Sequence, residues 1–249
     1  MSYPAVDIKN VNFAYKGQSA LFFNNLSLSI ATGERFGLFG PNGAGKTTLM
    51  SLMTGLLHGW EGDIKLLGNT IKTKTKTINK LFGYVPQDFS LYEELTPVEN
   101  LAFFGAWAGL AKKETKERTE ELLEILHLKD ARNKTVSKLS GGMKRKVNLA
   151  IGVIHKPGIL FLDEPTVGVD VQARRDIINY LVELNKSGTT LIYTSHQLSE
   201  AEGFCRQIAL IDNGKIIAND RLENLLIQHQ QGGLEGLFLS LTGNNYVNA

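Results

Sequence analysis

The run RFGLFGPNGAGKTTLMSLMTGL, residues 35–56, constrains the fold of this 249-residue chain more than any other stretch. Five strand-like residues lead into a glycine-rich turn, and an apolar helix follows at once, which is the entry to an α/β core. The turn Gly40-Pro41-Asn42-Gly43-Ala44-Gly45-Lys46-Thr47 matches the phosphate-binding loop pattern in the strand-to-helix setting that its mechanism requires. Glycines let backbone N–H groups curl around phosphates, Lys46 would reach the terminal phosphates, and the Thr47 hydroxyl would ligate Mg²⁺.

A second run, GILFLDEPT at 158–166, ends an apolar strand in paired carboxylates, Asp163 and Glu164. Alone, such a pair reads equally well as the cap of the next helix. Beside a phosphate loop it reads as the other half of a nucleotide triphosphatase site, with Asp163 holding magnesium and Glu164 polarising a water. Gln87, ending the strand-like LFGYVPQ, and His196, after LIYTS, also follow core strands. Each alone reads as a loop contact, but the carboxyl ends of such strands converge on one crevice.

A third stretch, LSGGMKRKVN at 139–148, opens a helix with a serine and two glycines. Ser140 is a good N-cap, and Met143, Val147, Ala150, Ile151 and Ile154 would share a face. Two glycines cost helix stability, yet they leave backbone N–H groups unshielded at the positive end of the dipole, where an anion can sit.

The rest of the chain surrounds these motifs with an ordinary globular composition, 43% hydrophobic and 21% charged. AVDIKNVNFAY and LFFNNLSLSI alternate like strands, with turns at Lys16-Gly17-Gln18 and Ala31-Thr32-Gly33, and predict a small sheet of hairpins. Thr96-Pro97-Val98-Glu99 is a capping box with proline at the first helical position. Helices are expected over about 97–109, 112–127 and from Ser140 to about 156, then 171–186, with a hairpin turn at Asp212-Asn213-Gly214.

A net charge of +2 with scattered basic residues gives no electrostatic ground for nucleic-acid binding. The exception, IKTKTKTINK at 71–80, with Lys72, Lys74 and Lys76, reads better as a solvated strand or loop than as an anion-contacting edge. A single cysteine, Cys205, excludes an internal disulfide and any multi-cysteine metal site and fits a reducing cytoplasm, and the histidines form no ligand-spaced cluster. The N-terminus lacks a secretory pattern, and LAFFGAWAGLA at 101–111 is far short of the ~20 apolar residues of a spanning helix.

GPNGAGKT, Gln87, LSGG, ILFLDEP, Asp170 and His196, in that order, resemble the ATP-binding cassette subunit of ABC transporters over essentially the whole chain. The resemblance implies an α/β P-loop NTPase (RecA-like) core, an N-terminal antiparallel β subdomain and an inserted α-helical signature subdomain at about 88–156. The cassette would cover 1–222, with a short extension over 223–249. The cofactors it implies are ATP and Mg²⁺.

Residue by residue, Tyr15 looks like the aromatic that stacks on adenine, and Gly40 to Thr48 look like the phosphate and magnesium contacts, with Pro41, Asn42, Gly43, Ala44, Gly45, Lys46, Thr47 and Thr48 among them. Gln87 resembles the glutamine that senses magnesium and γ-phosphate, and Asp163 the metal-binding aspartate. Glu164 resembles the general base and His196 the γ-phosphate switch. Ser140, Gly141 and Gly142 would contact the ATP of a second copy in a head-to-tail dimer, and Asp170 would communicate across that interface. An integral-membrane permease would dock on the helical block, especially on LYEELTPVENLAFFGAW, with the protein on the cytoplasmic face of the membrane and no nucleic acid involved.

The sequence departs from the commonest family pattern at Met143, where glutamine is usual, and at VGVD, where SALD is usual. With EPTVGVD and the ending LEGLFLSLTG, Met143 resembles the type-two exporters of drugs, lipids and polysaccharides. The competing expectation is a cassette ATPase acting on DNA or ribosomes. One cassette, one cysteine and no extended heptads speak against it.

Overall fold

The computed structural model describes residues 3–72, 76–195 and 197–243. In chain order its elements are β1 (Val6–Phe13), β2 (Phe23–Ile30), β3 (Arg35–Phe39), α1 (Lys46–Met53), β4 (Glu61–Leu66), β5 (Asn69–Thr70), α2 (Lys76–Asn79) and β6 (Phe82–Val85). Then come α3 (Pro97–Trp107), α4 (Lys112–Ile125), α5 (Gly141–Val153), β7 (Ile159–Asp163), α6 (Val171–Lys186), β8 (Thr190–Thr194), α7 (Leu198–Phe204), β9 (Gln207–Asp212), β10 (Lys215–Arg221), α8 (Leu222–Gln228) and α9 (Leu234–Thr242). The chain forms two compact units, Met1–Ile78 with Thr190–Ala249, and Asn79–Thr189. The α/β class expected from the sequence is borne out.

The first unit contains the expected antiparallel sheet, in the order β2-β1-β4-β5. In β1, Val6, Ile8, Val11 and Phe13 are buried, so strict alternation breaks at Lys9 and Asn10. Asn10 takes a positive φ of 51° where the pairing register shifts, and the extra residue returns Val11 and Phe13 to the buried side. Opposite the bulge sits Gly62, φ 90°, where an added Cβ would lie 2.3 Å from the Asn10 carbonyl. Only glycine fits there.

The same unit carries β3 between β9 and β8, paired in parallel with both, and β10 antiparallel to β9. Phe36, Leu38 and Phe39 of β3 are fully buried, as are Leu191 to Tyr193 of β8. Strands buried on both faces read as continuous apolar runs, which is why RFGLF and TTLIYTS stand out in the sequence. The β9–β10 hairpin turns through Asn213 and Gly214, both at positive φ. Two helices, α8 and α9, follow β10, and Glu202 of α7 accepts from the Leu234 backbone N–H at 2.9 Å, supplying the cap that Gly233 cannot.

In the second unit β6 and β7 run parallel, with Val85 opposite Leu162. Helix α5 lies against β6 through two glycines. A Cβ at Gly83 would meet the Gly152 carbonyl at 2.0 Å, and one at Gly152 would meet Val85 at 2.6 Å. Thr96 caps α3 in a full capping box, its hydroxyl accepting from Glu99 N–H and the Glu99 carboxylate accepting from Thr96 N–H.

Most of α5 is enclosed. Val147, Ala150 and Ile154 are buried as expected, but Met143 and Ile151 are only half-buried, whereas Arg145, Lys146 and Asn148 are buried. Of the basic run at 71–80, Lys72 and Lys80 are exposed in turns, as expected of a solvated loop, residues 73–75 lie outside the described residues, and Lys76–Asn79 form the single helical turn α2 in place of a strand or loop.

Candidate functional site

The phosphate loop is built as its sequence requires. Gly40 follows β3 and is pressed against β9, where a Cβ would lie 2.1 Å from the Ile211 carbonyl. Gly43 and Gly45 take φ of 78° and 113°, conformations that cost a residue with a Cβ. Gly45 is itself the N-cap of α1 and no side chain caps it. A helix start with no capping side chain presents backbone N–H groups at the positive end of the dipole, the ready-made site for a phosphate.

Lys46 is buried and folds back over the loop, donating from Nζ to the Gly40 carbonyl at 2.7 Å and the Pro41 carbonyl at 3.0 Å. The loop is braced from below by the β9–β10 turn, where Gly214 N–H donates to the Ala44 carbonyl at 3.0 Å. Asn42, Gly43 and Thr47 are exposed, whereas Pro41, Ala44 and Gly45 are buried. Tyr15 and Thr48 come together, their hydroxyls 2.5 Å apart. The Tyr15 ring, 37% exposed, stands edge-on to Phe13 and Phe22, so its orientation is set by aromatic packing.

In the second unit, β7 delivers Asp163 and Glu164 at its carboxyl end, 2% and 4% exposed. Glu164 takes φ 52°, a left-handed conformation that is strained for this residue type and common where backbone is bent to aim a functional side chain. Gln87 reaches it from the loop after β6, Nε2 donating to Glu164 Oε2 at 3.2 Å. Burial, then the charges of Asp163 and Asp88, push the Tyr84 hydroxyl above its ordinary range.

Two residues that the sequence reading passed over hold this corner together. Arg145 of α5 donates to the Gln87 carbonyl at 2.7 Å, the Pro86 carbonyl at 3.3 Å and the Val167 carbonyl at 3.5 Å, with its guanidinium 4.7 Å from the centre of the Phe89 ring. Burial lowers its pKa, and Asp88 and Glu164 oppose that. Asn148, one turn on, accepts from Ser90 N–H at 3.1 Å and donates to the Pro86 carbonyl at 3.3 Å. Arginine and asparagine on a helix expected to pack by its apolar face were the available sign.

The signature glycines separate. Ser140 caps α5, its hydroxyl accepting from Met143 N–H at 3.2 Å. Gly141 is exposed and uncrowded, with 3.7 Å from a Cβ there to the nearest atom, the Gly168 carbonyl oxygen. Gly142 is buried, and a Cβ would lie 2.7 Å from the Ala173 Cβ and 3.0 Å from Asp170 Oδ2. Asp170 caps α6, accepting from Ala173 N–H at 2.8 Å. The second glycine is thus explained by packing of α5 on the start of α6, which leaves the first as the bare backbone. His196 lies outside the described residues.

A glycine-rich loop between a buried strand and a helix, joined in one chain to a strand ending in two carboxylates, defines a phosphate-loop nucleotide-binding protein of the α/β class. The family model described as ABC transporter matches residues 23–167, and the chain belongs to that family. It is 41% identical over 210 residues to the linearmycin resistance ATP-binding protein LnrL of Bacillus subtilis (strain 168), covering 84% of this chain and 67% of that one. It is 37% identical over 229 residues to the Nod factor export ATP-binding protein I of Rhizobium sp. (strain N33), covering 92% and 75%.

Among solved structures, a dimeric ATP-binding cassette in a post-hydrolysis state bound to ADP and Pi superposes with a TM-score of 0.78 at 26% identity, covering 87% of this chain and 98% of that one. The chain is an ATP-binding subunit of the ABC transporter type and an ATPase. No helix among the described residues is long and apolar enough to cross a membrane.

Proposed function

We propose that this protein powers export through a separate membrane permease, two copies closing head to tail around ATP and reopening after hydrolysis. The observation that carries the reading is the buried Glu164, bent into a left-handed conformation and engaged by Gln87. A carboxylate held this way is placed to take a proton from an attacking water, and Gln87 orients it. The loop from Gly40 to Thr48 holds the phosphates, Lys46 leaving its two carbonyls for the terminal phosphates, and Tyr15 stacks on the base. His196 serves as the γ-phosphate switch.

Mg²⁺ takes hard oxygen donors, and the Thr47 hydroxyl, the Asp163 carboxylate and the Gln87 amide oxygen are of that kind. When bound it neutralises charge on the phosphates. Ser140, Gly141 and Gly142 would face the second copy's ATP, Ser140 and Gly141 from the exposed side and Gly142 through backbone alone, since it packs on α6. Closure of the pair is a population shift toward the state whose contacts ATP completes.

The names of the two relatives, one for linearmycin resistance and one for Nod factor export, favour an exporter. In the second unit Tyr92, Phe103 and Trp107 are exposed at 45%, 45% and 72%, and Tyr92 packs edge-on against Phe103. This patch is where a cytoplasmic helix of the permease would dock at the cytoplasmic face of the membrane. Glu164→Gln is expected to bind ATP and dimerise but to hydrolyse at least about a hundredfold more slowly; normal turnover would remove Glu164 as the base. Co-purification with a membrane protein supports transport, whereas nucleic acid or ribosomes would sink it.

A further inference from the structure

The structure assigns to Arg145 the task of positioning Gln87 and the Glu164 turn, tying both to the helix that begins at Ser140. The inference rests on the proposed role of Glu164 as base. One guanidinium touches both chain segments that carry the pair. On one side it donates to the carbonyls of Pro86 and Gln87. On the other it donates to the carbonyl of Val167, whose own N–H donates to the Glu164 carbonyl at 3.3 Å. The Gln87 side chain closes the ring on the Glu164 carboxylate.

Two of the carbonyls are met by Nη1 and the third by Nη2, which suits the planar fork of arginine, whereas lysine has a single nitrogen to offer. The residue is 5% exposed and its face lies over Phe89, so the fork has one orientation available. A side chain that served packing alone would be cheaper as an aliphatic, because this guanidinium leaves its buried Nε without a hydrogen-bond partner.

Arg145 also stands five residues along α5 from Ser140, about 7.5 Å of helix rise. A helix is stiff over that length. Displacement of its Ser140 end when the second copy's ATP docks there would therefore be felt at Gln87 and Glu164, so that one nucleotide site adjusts the base of the other. Arg145 is a positioning residue, its guanidinium spent on protein carbonyls. It acts through the Gln87 and Glu164 segments that it braces.

The test is a double-mutant cycle on the full chain, reading kcat and KM for ATP, ATP affinity without Mg²⁺, and thermal stability. Arg145→Met is expected to lower kcat about tenfold or more with KM and ATP affinity within about twofold of wild type, and Arg145→Lys to recover part of the loss. In a Gln87→Ala background the same Arg145→Met change should cost clearly less than in wild type, because the arm through the Gln87 side chain is already cut and only the arm through Val167 remains.

An undiminished loss in that background, a wild-type kcat in Arg145→Met, or parallel losses in kcat and ATP affinity would each overturn the inference. If Arg145→Met does not fold, the cycle is run with Arg145→Lys under the same criteria. The base assignment fails separately, through normal turnover in Glu164→Gln, whatever Arg145 does.

Discussion

The Gln87 side-chain nitrogen donates to the Glu164 carboxylate across 3.2 Å, joining residues 77 positions apart at the ends of two adjacent parallel strands. Both side chains leave strands whose register sets Val85 opposite Leu162, so the pair is placed by backbone pairing and tuned by two short loops. Gln87 is exposed whereas Glu164 is buried, so the bond ties a surface side chain to an enclosed carboxylate.

Gln87→Ala should therefore slow hydrolysis without weakening ATP binding. A misplacement of about 1 Å at a catalytic group costs up to about a hundredfold, so a fall in kcat of about ten- to a hundredfold is expected. Steady-state kinetics beside nucleotide titration without Mg²⁺ check it, and a rise in Kd as large as the fall in kcat would show that Gln87 holds the nucleotide instead.

The two signature glycines should respond differently to alanine. Gly142→Ala places a Cβ 2.7 Å from Ala173 and is expected to destabilise the fold by about 1–3 kcal/mol. Gly141→Ala places a Cβ at an ordinary 3.7 Å contact with the Gly168 carbonyl oxygen at the start of α5 and should leave stability unchanged or raise it by up to about 1 kcal/mol, while slowing turnover through the dimer surface. Urea midpoints and kcat for both variants separate packing from function.

Lys146 and Asp176 form a pair 2.5 Å apart between α5 and α6, each side chain 8% exposed. Burial alone would raise the Asp176 carboxyl, but the hydrogen bond and charge of Lys146, with help from Gln172, hold it below its ordinary value of 3.8. The contribution of the pair is complete above that ordinary value and disappears as pH falls through the lower folded one. Asp176→Asn leaves a buried ammonium unpaired and should cost about 3–5 kcal/mol at neutral pH. The gap from wild type should narrow as pH falls below that ordinary value, read from denaturant midpoints across the range.

Tyr15 tests base stacking. Tyr15→Phe loses the hydroxyl contact with Thr48 and keeps the ring, so KM for ATP should move less than about threefold. Tyr15→Ala removes a stacking surface worth about 1–3 kcal/mol per base and should raise KM about tenfold. Equal effects of the two would mean that the hydroxyl and not the ring is used.

Much of this was legible in the order of residues. The phosphate loop, the capping box at Thr96, the apolar strands ending in Asp163 and Thr194 and the turn at Asn213-Gly214 are local statements. Each is decided within a few residues by positive φ, by a missing N–H or by side-chain alternation. The bulge at Asn10 was not legible, since its φ of 51° is decided by the register of both neighbouring strands.

By itself, the sequence determined that this chain is an α/β cassette with a phosphate loop and an acidic strand end, because those motifs work through nearest neighbours along the chain. Only the tertiary structure decided that Gly142 is a packing glycine and Gly141 the open one, and that Asp170 caps α6 beside it. It alone singled out Arg145 among the basic residues of LSGGMKRKVN as the one whose guanidinium braces Gln87 and Val167. Those distinctions depend on which surfaces of α5 meet the strand ends and α6, and a helix buried nearly all round gives its sequence no polar face from which to read them.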